Sequence, residues 1–151
     1  MKSLIASLAA IVFLFPLRLH ASLGGDGASI DADRAQLKGS VQQRQTAAYT
    51  VNEIKAASGT VVREYVSSAG NVFAVAWQGQ FVPDLHQLLG AYFGQYSAGV
   101  KAEKATYVGR HPLNLHLPGL VVQFNGYMRA LHGRAYIPQQ VPAGVQQEEL
   151  W

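Results

Sequence analysis

Three β-rich stretches between Tyr49 and Gln78, separated by Ser58-Gly59 and by Ser68-Ala69-Gly70, constrain this chain more than anything else in it. Val, Ile, Tyr, Thr and Phe fill the stretches and small turn residues punctuate them, so the segment predicts a three-stranded antiparallel meander. A loop Ala57-Ser58-Gly59 with Gly59 in the left-handed position sets Glu53 against Arg63, Val51 against Tyr65 and Ile54 against Val62. Slipping by one residue would set Glu53 against Glu64, so the first register is favoured. The second loop predicts Val66 against Val72, Tyr65 against Phe73 and Val61 against Trp77. One face then carries Tyr49, Val51, Tyr65, Phe73, Val75 and Trp77, and the other Ile54, Val62, Val66, Val72, Ala74 and Ala76. A sheet apolar on both sides needs two covers, which the rest of the chain must supply.

One cover is expected from a helix beginning near Pro83, where Leu85, Leu88, Leu89, Tyr92 and Tyr96 share a face by the 3.6-residue period. Its other side holds Gly90 and Gly94, which close approach of another element would explain. Residues 97–104 read as a loop. Leu113–Leu117 alternates strictly and Leu120–Phe124 is an apolar run, both strand-like. Asn125-Gly126 predicts a hairpin joining Leu120–Phe124 to Tyr127–Leu131. A further strand covers Arg134–Ile137, and the polar tail 139–151 is expected to dock loosely through Val141, Val145, Leu150 and Trp151. Upstream, residues 22–28 read as a flexible lead-in, Ser29–Gly39 as a short capped helix, and Gln42–Thr46 as polar loop.

The N-terminus has the grammar of a secretory leader: Lys2, an apolar run Leu4–Leu17, and a small residue at Ala21. That run is about fourteen residues, against roughly twenty for a membrane-spanning helix, so cleavage after Ala21 is expected and no permanent anchor. Twelve lysines and arginines less Lys2 and Arg18 leave ten against nine acids, a mature net charge of +1. With no cationic stripe, nucleic acid is not expected as a partner. The chain has no cysteine, so no disulfide and no thiol nucleophile. Residues 22–151 suit one domain held by a buried core.

Candidate chemistry is sparse. Tyr127, Arg129, His132, Arg134 and Tyr136 lie within ten residues, and Tyr127, Arg129 and Leu131 would share a hairpin face as a recognition surface. The competing reading packs the tyrosines in the core and lets the arginines reach water along their stems. As an alternative, His111, His116 and His132 would form a metal site if the late strands are neighbours. Glu53, Glu64 and Asp84 are the candidate acids, but the register sends Glu53 and Glu64 to opposite faces. No serine-nucleophile motif, calcium loop or phosphate-binding loop is present in the mature region, and no cofactor is implied.

ASLGGD after the leader, the block from Tyr49 to Phe93 and the block Leu120–Val145 together resemble an exported bacterial family, domain of unknown function 2844. The resemblance spans nearly the whole mature chain. It implies export from a Gram-negative cell and a single small domain, with no activity or catalytic residue to carry over. The expectation is therefore an α+β fold: a short N-terminal helix, a three-stranded antiparallel meander, one amphipathic helix, then further antiparallel strands. The functional expectation is a non-enzymatic periplasmic or secreted binding or structural module that engages an envelope or extracellular protein. Its alternative is a small periplasmic hydrolase or metal-dependent enzyme.

Overall fold

The computed structural model describes residues 23–26, 39–106 and 112–151; the expected leader and all but Gly39 of the expected N-terminal helix lie outside them. Among the described residues the architecture is mostly β, one seven-stranded antiparallel sheet flanked by a helical layer. Its strands are β1 (Ser40–Gln45), β2 (Tyr49–Lys55), β3 (Val61–Ser67), β4 (Val72–Gly79), β5 (Leu113–Leu117), β6 (Leu120–Tyr127) and β7 (Ala130–Tyr136). In space they run β1-β2-β3-β4-β7-β6-β5. The meander thus has four strands rather than three, and it continues directly into the late strands as one sheet.

The polar stretch expected as a loop is β1. It pairs with β2 through Val41–Ile54 and Gln43–Asn52, and Gln43 Nε2 donates to Asn52 Oδ1 at 3.0 Å. Lack of apolar alternation concealed it, because its side chains are mostly exposed. The β2–β3 register is as expected, with Glu53 opposite Arg63, Val51 opposite Tyr65 and Ile54 opposite Val62.

Between β3 and β4 the expectation fails after one pair. Val66 faces Val72, but Tyr65 faces Ala74 and Val62 faces Trp77, so Phe73 is the extra residue of a bulge. One inserted residue sends every later side chain to the opposite face. Val75 and Trp77 therefore join Ile54, Val62 and Val66, while Ala74 and Ala76 join Tyr49, Val51, Tyr65 and Phe73. Phe73, Val75 and Trp77 are each at most 2% exposed, so the sheet is buried on both sides as anticipated.

The first cover is helical but broken. Asp84 caps α1 (Leu85–Leu89), its carboxylate accepting from the N–H groups of His86 and Gln87. Gly90, at φ 50° and ψ −121°, ends that turn in a conformation costly for any other residue. A 3₁₀ turn follows over Gly90–Tyr92, then α2 (Phe93–Thr106), which takes in the stretch expected as a loop. Leu85, Leu88, Leu89, Tyr92 and Tyr96 all meet the core, so the predicted face is right although the element bends. Gly94 has open space beside it, and the close approach is instead at Gly99, where a Cβ would sit 3.2 Å from Leu115 and Leu117.

The late hairpin does not turn at Asn125-Gly126. β6 runs through both residues to Tyr127, pairs Tyr127 with Ala130, and turns on Met128 and Arg129 at φ 35° and 69°. Gly133 holds this register: it faces Phe124 on one side and Trp77 on the other, and a Cβ there would lie 2.3 Å from the Trp77 ring. Only glycine leaves room for Trp77 and Phe124 to stack, with ring centroids 6.3 Å apart. The strand expected at Arg134–Ile137 is the end of β7.

The second cover is the segment 138–151, which docks firmly rather than loosely. Leu150 is fully buried and packs with Val141 and Val145 on Tyr49, Tyr65, Phe73 and Tyr136. Residues 23–26 are likewise anchored, not flexible. Leu23 is 2% exposed, its N–H donates to the Leu88 carbonyl at 2.9 Å, and Gly24 N–H donates to Val72 at 2.8 Å.

Candidate binding face

On the side of the sheet under segment 138–151, alternate residues of each strand form rows across the seven strands. One row reads Val51, Tyr65, Ala74, Tyr136 and Val121, all buried. The next row, two residues along, reads Gln42, Glu53, Arg63, Ala76, Arg134, Gln123 and Asn114. Except at its centre it is wholly polar. Its members bond along the row: Arg63 Nε donates to Glu53 at 2.9 Å, Arg134 Nε to Gln123 Oε1 at 2.7 Å, and Gln123 Nε2 to Asn114 Oδ1 at 3.0 Å.

Trp151 stands over this row. Its ring lies 4.3 Å from the Arg134 guanidinium carbon and meets His132 edge-on at 5.5 Å, yet the residue is 42% exposed. Arg134 is only 7% exposed. Besides Gln123, it donates through Nη1 to the Gln147 carbonyl, and Tyr136 OH donates to Gln147 Oε1 at 2.8 Å. Burial holds the Arg134 guanidinium below the ordinary arginine value, opposed by Tyr136 and Glu148, and it remains a cation at neutral pH. Tyr65 OH donates to the Trp151 carbonyl at 3.1 Å, and burial pushes that phenol up to about 12.

Around Trp151 the surface is concave in three places that all count it in their walls. One hollow of about 390 Å³ lies over β1–β3 among Gln42, Arg44, Glu53 and Arg63. A second, about 310 Å³, is bounded by Arg63, Gln78 and His132, and a third, about 330 Å³, by Asn114, Gln123, Asn125 and Arg134. Together they make a shallow trough, polar over β1–β3 and mixed polar and apolar toward β5, with a half-exposed indole at its middle.

The five residues of the expected recognition surface divide. His132, Arg134 and Tyr136 alternate along β7 and face the trough and its cover, whereas Tyr127, 77% exposed, and Arg129 form the hairpin tip. Arg129 belongs to the turn, so it shares no strand face with Tyr127 and Leu131. Nor does the competing reading hold throughout, since Arg134 is buried under Trp151 and Tyr127 is exposed. Of the three histidines, His111 lies outside the described residues. His116 occupies the row of Val121 and Tyr136, four residues along β7 from His132, which separates the two by roughly 13 Å along the strands alone. Among the described residues no three His, Cys, Asp or Glu side chains are placed to hold a metal ion.

Glu53 is paired with Arg63, Asp84 caps α1, and Glu64 is buried on the opposite, helix-covered side across from Asn52. The opposed directions of Glu53 and Glu64 are therefore as the sequence predicts. No helix among the described residues is long and apolar enough to cross a membrane.

Residues 19–150 match the family described as "Protein of unknown function (DUF2844)". This chain belongs to that family. No curated protein and no solved structure matches it. In this DUF2844 chain, the Glu53–Arg63 pair was legible in the sequence, but Gln123 and Trp151 as neighbours of Arg134, and Gln42 and Asn114 as further members of its row, were not. The polar interruption at Gln123 within an otherwise apolar run was the available signal, because a buried strand tolerates such a residue where a partner awaits it.

Proposed function

We propose that this protein is a non-enzymatic exported module, periplasmic or secreted, that binds an envelope component on the open half of its sheet face. The observation that carries the reading is the trough itself: a fixed row of hydrogen-bonding side chains in register across the strands, interrupted by Trp151. Chemistry would require an acid and a base within reach of one another. Here the candidate acids are committed to a salt bridge, a helix cap and the opposite face, an arrangement that favours holding over reacting. Export is supported by the leader's composition and by Leu23, which enters the core two residues beyond the expected cut at Ala21.

The test is co-sedimentation of the chain 22–151 with washed envelope fragments. Arg63→Ala combined with Gln123→Ala should abolish retention, while Tyr127→Ala combined with Arg129→Ala at the hairpin tip should leave it intact. No retention of the unaltered protein, or equal retention of both variants, rejects the reading.

A further inference from the structure

We infer that the trough takes an extended polysaccharide laid across the strands over Trp151, an inference that rests on the binding role proposed above. The shape comes first. Six inter-strand steps make the row about 29 Å long, so the ligand it fits is a chain rather than a compact metabolite. The hollows are shallow and open to solvent; the one over β1–β3 is walled mainly by Gln, Arg and Glu, and the two beside it set Asn, Gln, His and Arg next to apolar surface that includes Trp151. Such planar polar groups present hydrogen-bond donors and acceptors side by side, matching the adjacent hydroxyls of a sugar ring. The remaining requirement is a flat apolar surface for the C–H face of a sugar, and the Trp151 indole supplies it. Arg134 and His132 fix its position, so little ordering remains to be done when a ligand arrives.

Other ligand chemistries fit less well. A protein partner needs an apolar anchor pocket at the centre of its interface, and here the apolar row beside the trough is already occupied by Leu150. A peptide added as a strand would use a sheet edge, not a face. A nucleic acid needs a cationic stripe, whereas Glu53 neutralises Arg63 within the row and Glu148 lies near Arg134. Arg44 beside Gln42 still leaves that hollow cationic enough to accept a carboxylated sugar.

The experiment is affinity electrophoresis in native gels containing alginate, dextran or, as an anionic control without sugar rings, poly-glutamate. The unaltered protein should be retarded by at least one of the two polysaccharides and not by poly-glutamate. Trp151→Ala should weaken that retardation about tenfold. Because loss of Trp151 also uncovers Arg134, a second variant carries Gln42→Ala with Asn114→Ala, two exposed ends of the row. It should keep the unaltered unfolding midpoint and still lose affinity. Retardation by poly-glutamate to the same degree, or polysaccharide binding indifferent to both variants, overturns the inference. If envelope retention depends on Arg63 and Gln123 but neither polysaccharide retards the protein, the glycan assignment fails while the binding role stands. If neither assay shows binding, both fall.

Discussion

Two neighbouring rows of one sheet face, Val51-Tyr65-Ala74-Tyr136-Val121 and Glu53-Arg63-Ala76-Arg134-Gln123, come from the same strands and lie about 7 Å apart, yet meet opposite fates. The first is sealed by Leu150, Val141 and Val145, and its Tyr65 ring packs with Tyr49 and Phe73 at centroid separations of 5.8 and 6.2 Å. The second is left open except where Trp151 crosses it. Covering a row is favourable only where burial of apolar surface exceeds the cost of desolvating polar groups, and that balance reverses within two residues along β2, β3 and β6. Ala74 and Ala76 are the small residues of both rows, and they admit Tyr136 and Arg134 beside them. Through the bulge at Phe73 these alanines face the segment 138–151, while Val75 and Trp77 go to the helices.

The contrast is most easily broken in the sealed row. Leu150→Ala should destabilise the fold by about 2 to 5 kcal/mol, because a fully buried leucine leaves a cavity beneath a short segment with few other apolar anchors. Chemical denaturation reads this directly. A cost under about 0.5 kcal/mol, the level of a surface change, would mean that segment 138–151 does not seal the face.

Alkali offers the next largest effect. The Tyr65 phenol is pushed up to about 12 by burial, against an ordinary value of 10.0. Between those values the unfolded chain loses the proton that the folded chain retains, so stability is complete below pH 10 and declines as pH rises toward 12. The loss from this group is about 2 to 3 kcal/mol. Tyr65→Phe, weaker by about 1 kcal/mol near neutrality for want of the bond to Trp151, should decline less steeply over the same interval. Parallel curves for the two proteins would show that Tyr65 titrates freely and that the row is not sealed.

At the boundary between the rows, Arg134→Met keeps most of the side chain's bulk but deprives Gln123 and the Gln147 carbonyl of their donor. The expected cost is about 1.5 to 3 kcal/mol, accompanied by a change in Trp151 fluorescence as its cationic support disappears. An unchanged emission spectrum would separate Trp151 from Arg134.

These rows explain what could and could not be read from the sequence. The β2–β3 register was legible because the loop length and the Glu53–Arg63 charge pair agree on it. The bulge at Phe73 was not, since Val72 to Trp77 is apolar throughout and either parity buries its side chains. Turn chemistry misled at Asn125-Gly126, where the long-range demand that Gly133 lie beneath Trp77 outweighed the local preference. β1 escaped notice because an exposed edge strand needs no apolar face. The site suffered most: its row joins residues from all seven strands, and only strand order brings Gln42, Arg134 and Asn114 into line. Trp151 read as a point on a polar tail because nothing local announces the guanidinium beneath it.

The smallest expected effect is the sharpest test of the open row. Glu53 and Arg63 form a salt bridge 2.9 Å long, with side chains 40% and 26% exposed. Solvent screens such a pair, so Glu53→Gln should cost no more than about 1 kcal/mol, and the residual cost should shrink in high salt. A double-mutant cycle with Arg63→Gln isolates the pair from the other contacts of each residue. A coupling well above that level would place the open row with the sealed one as part of what holds the fold together. A coupling near zero, beside intact folding, leaves Glu53 and Arg63 where a binding face needs them: ordered by a neighbour, wet, and dispensable to everything except what they touch.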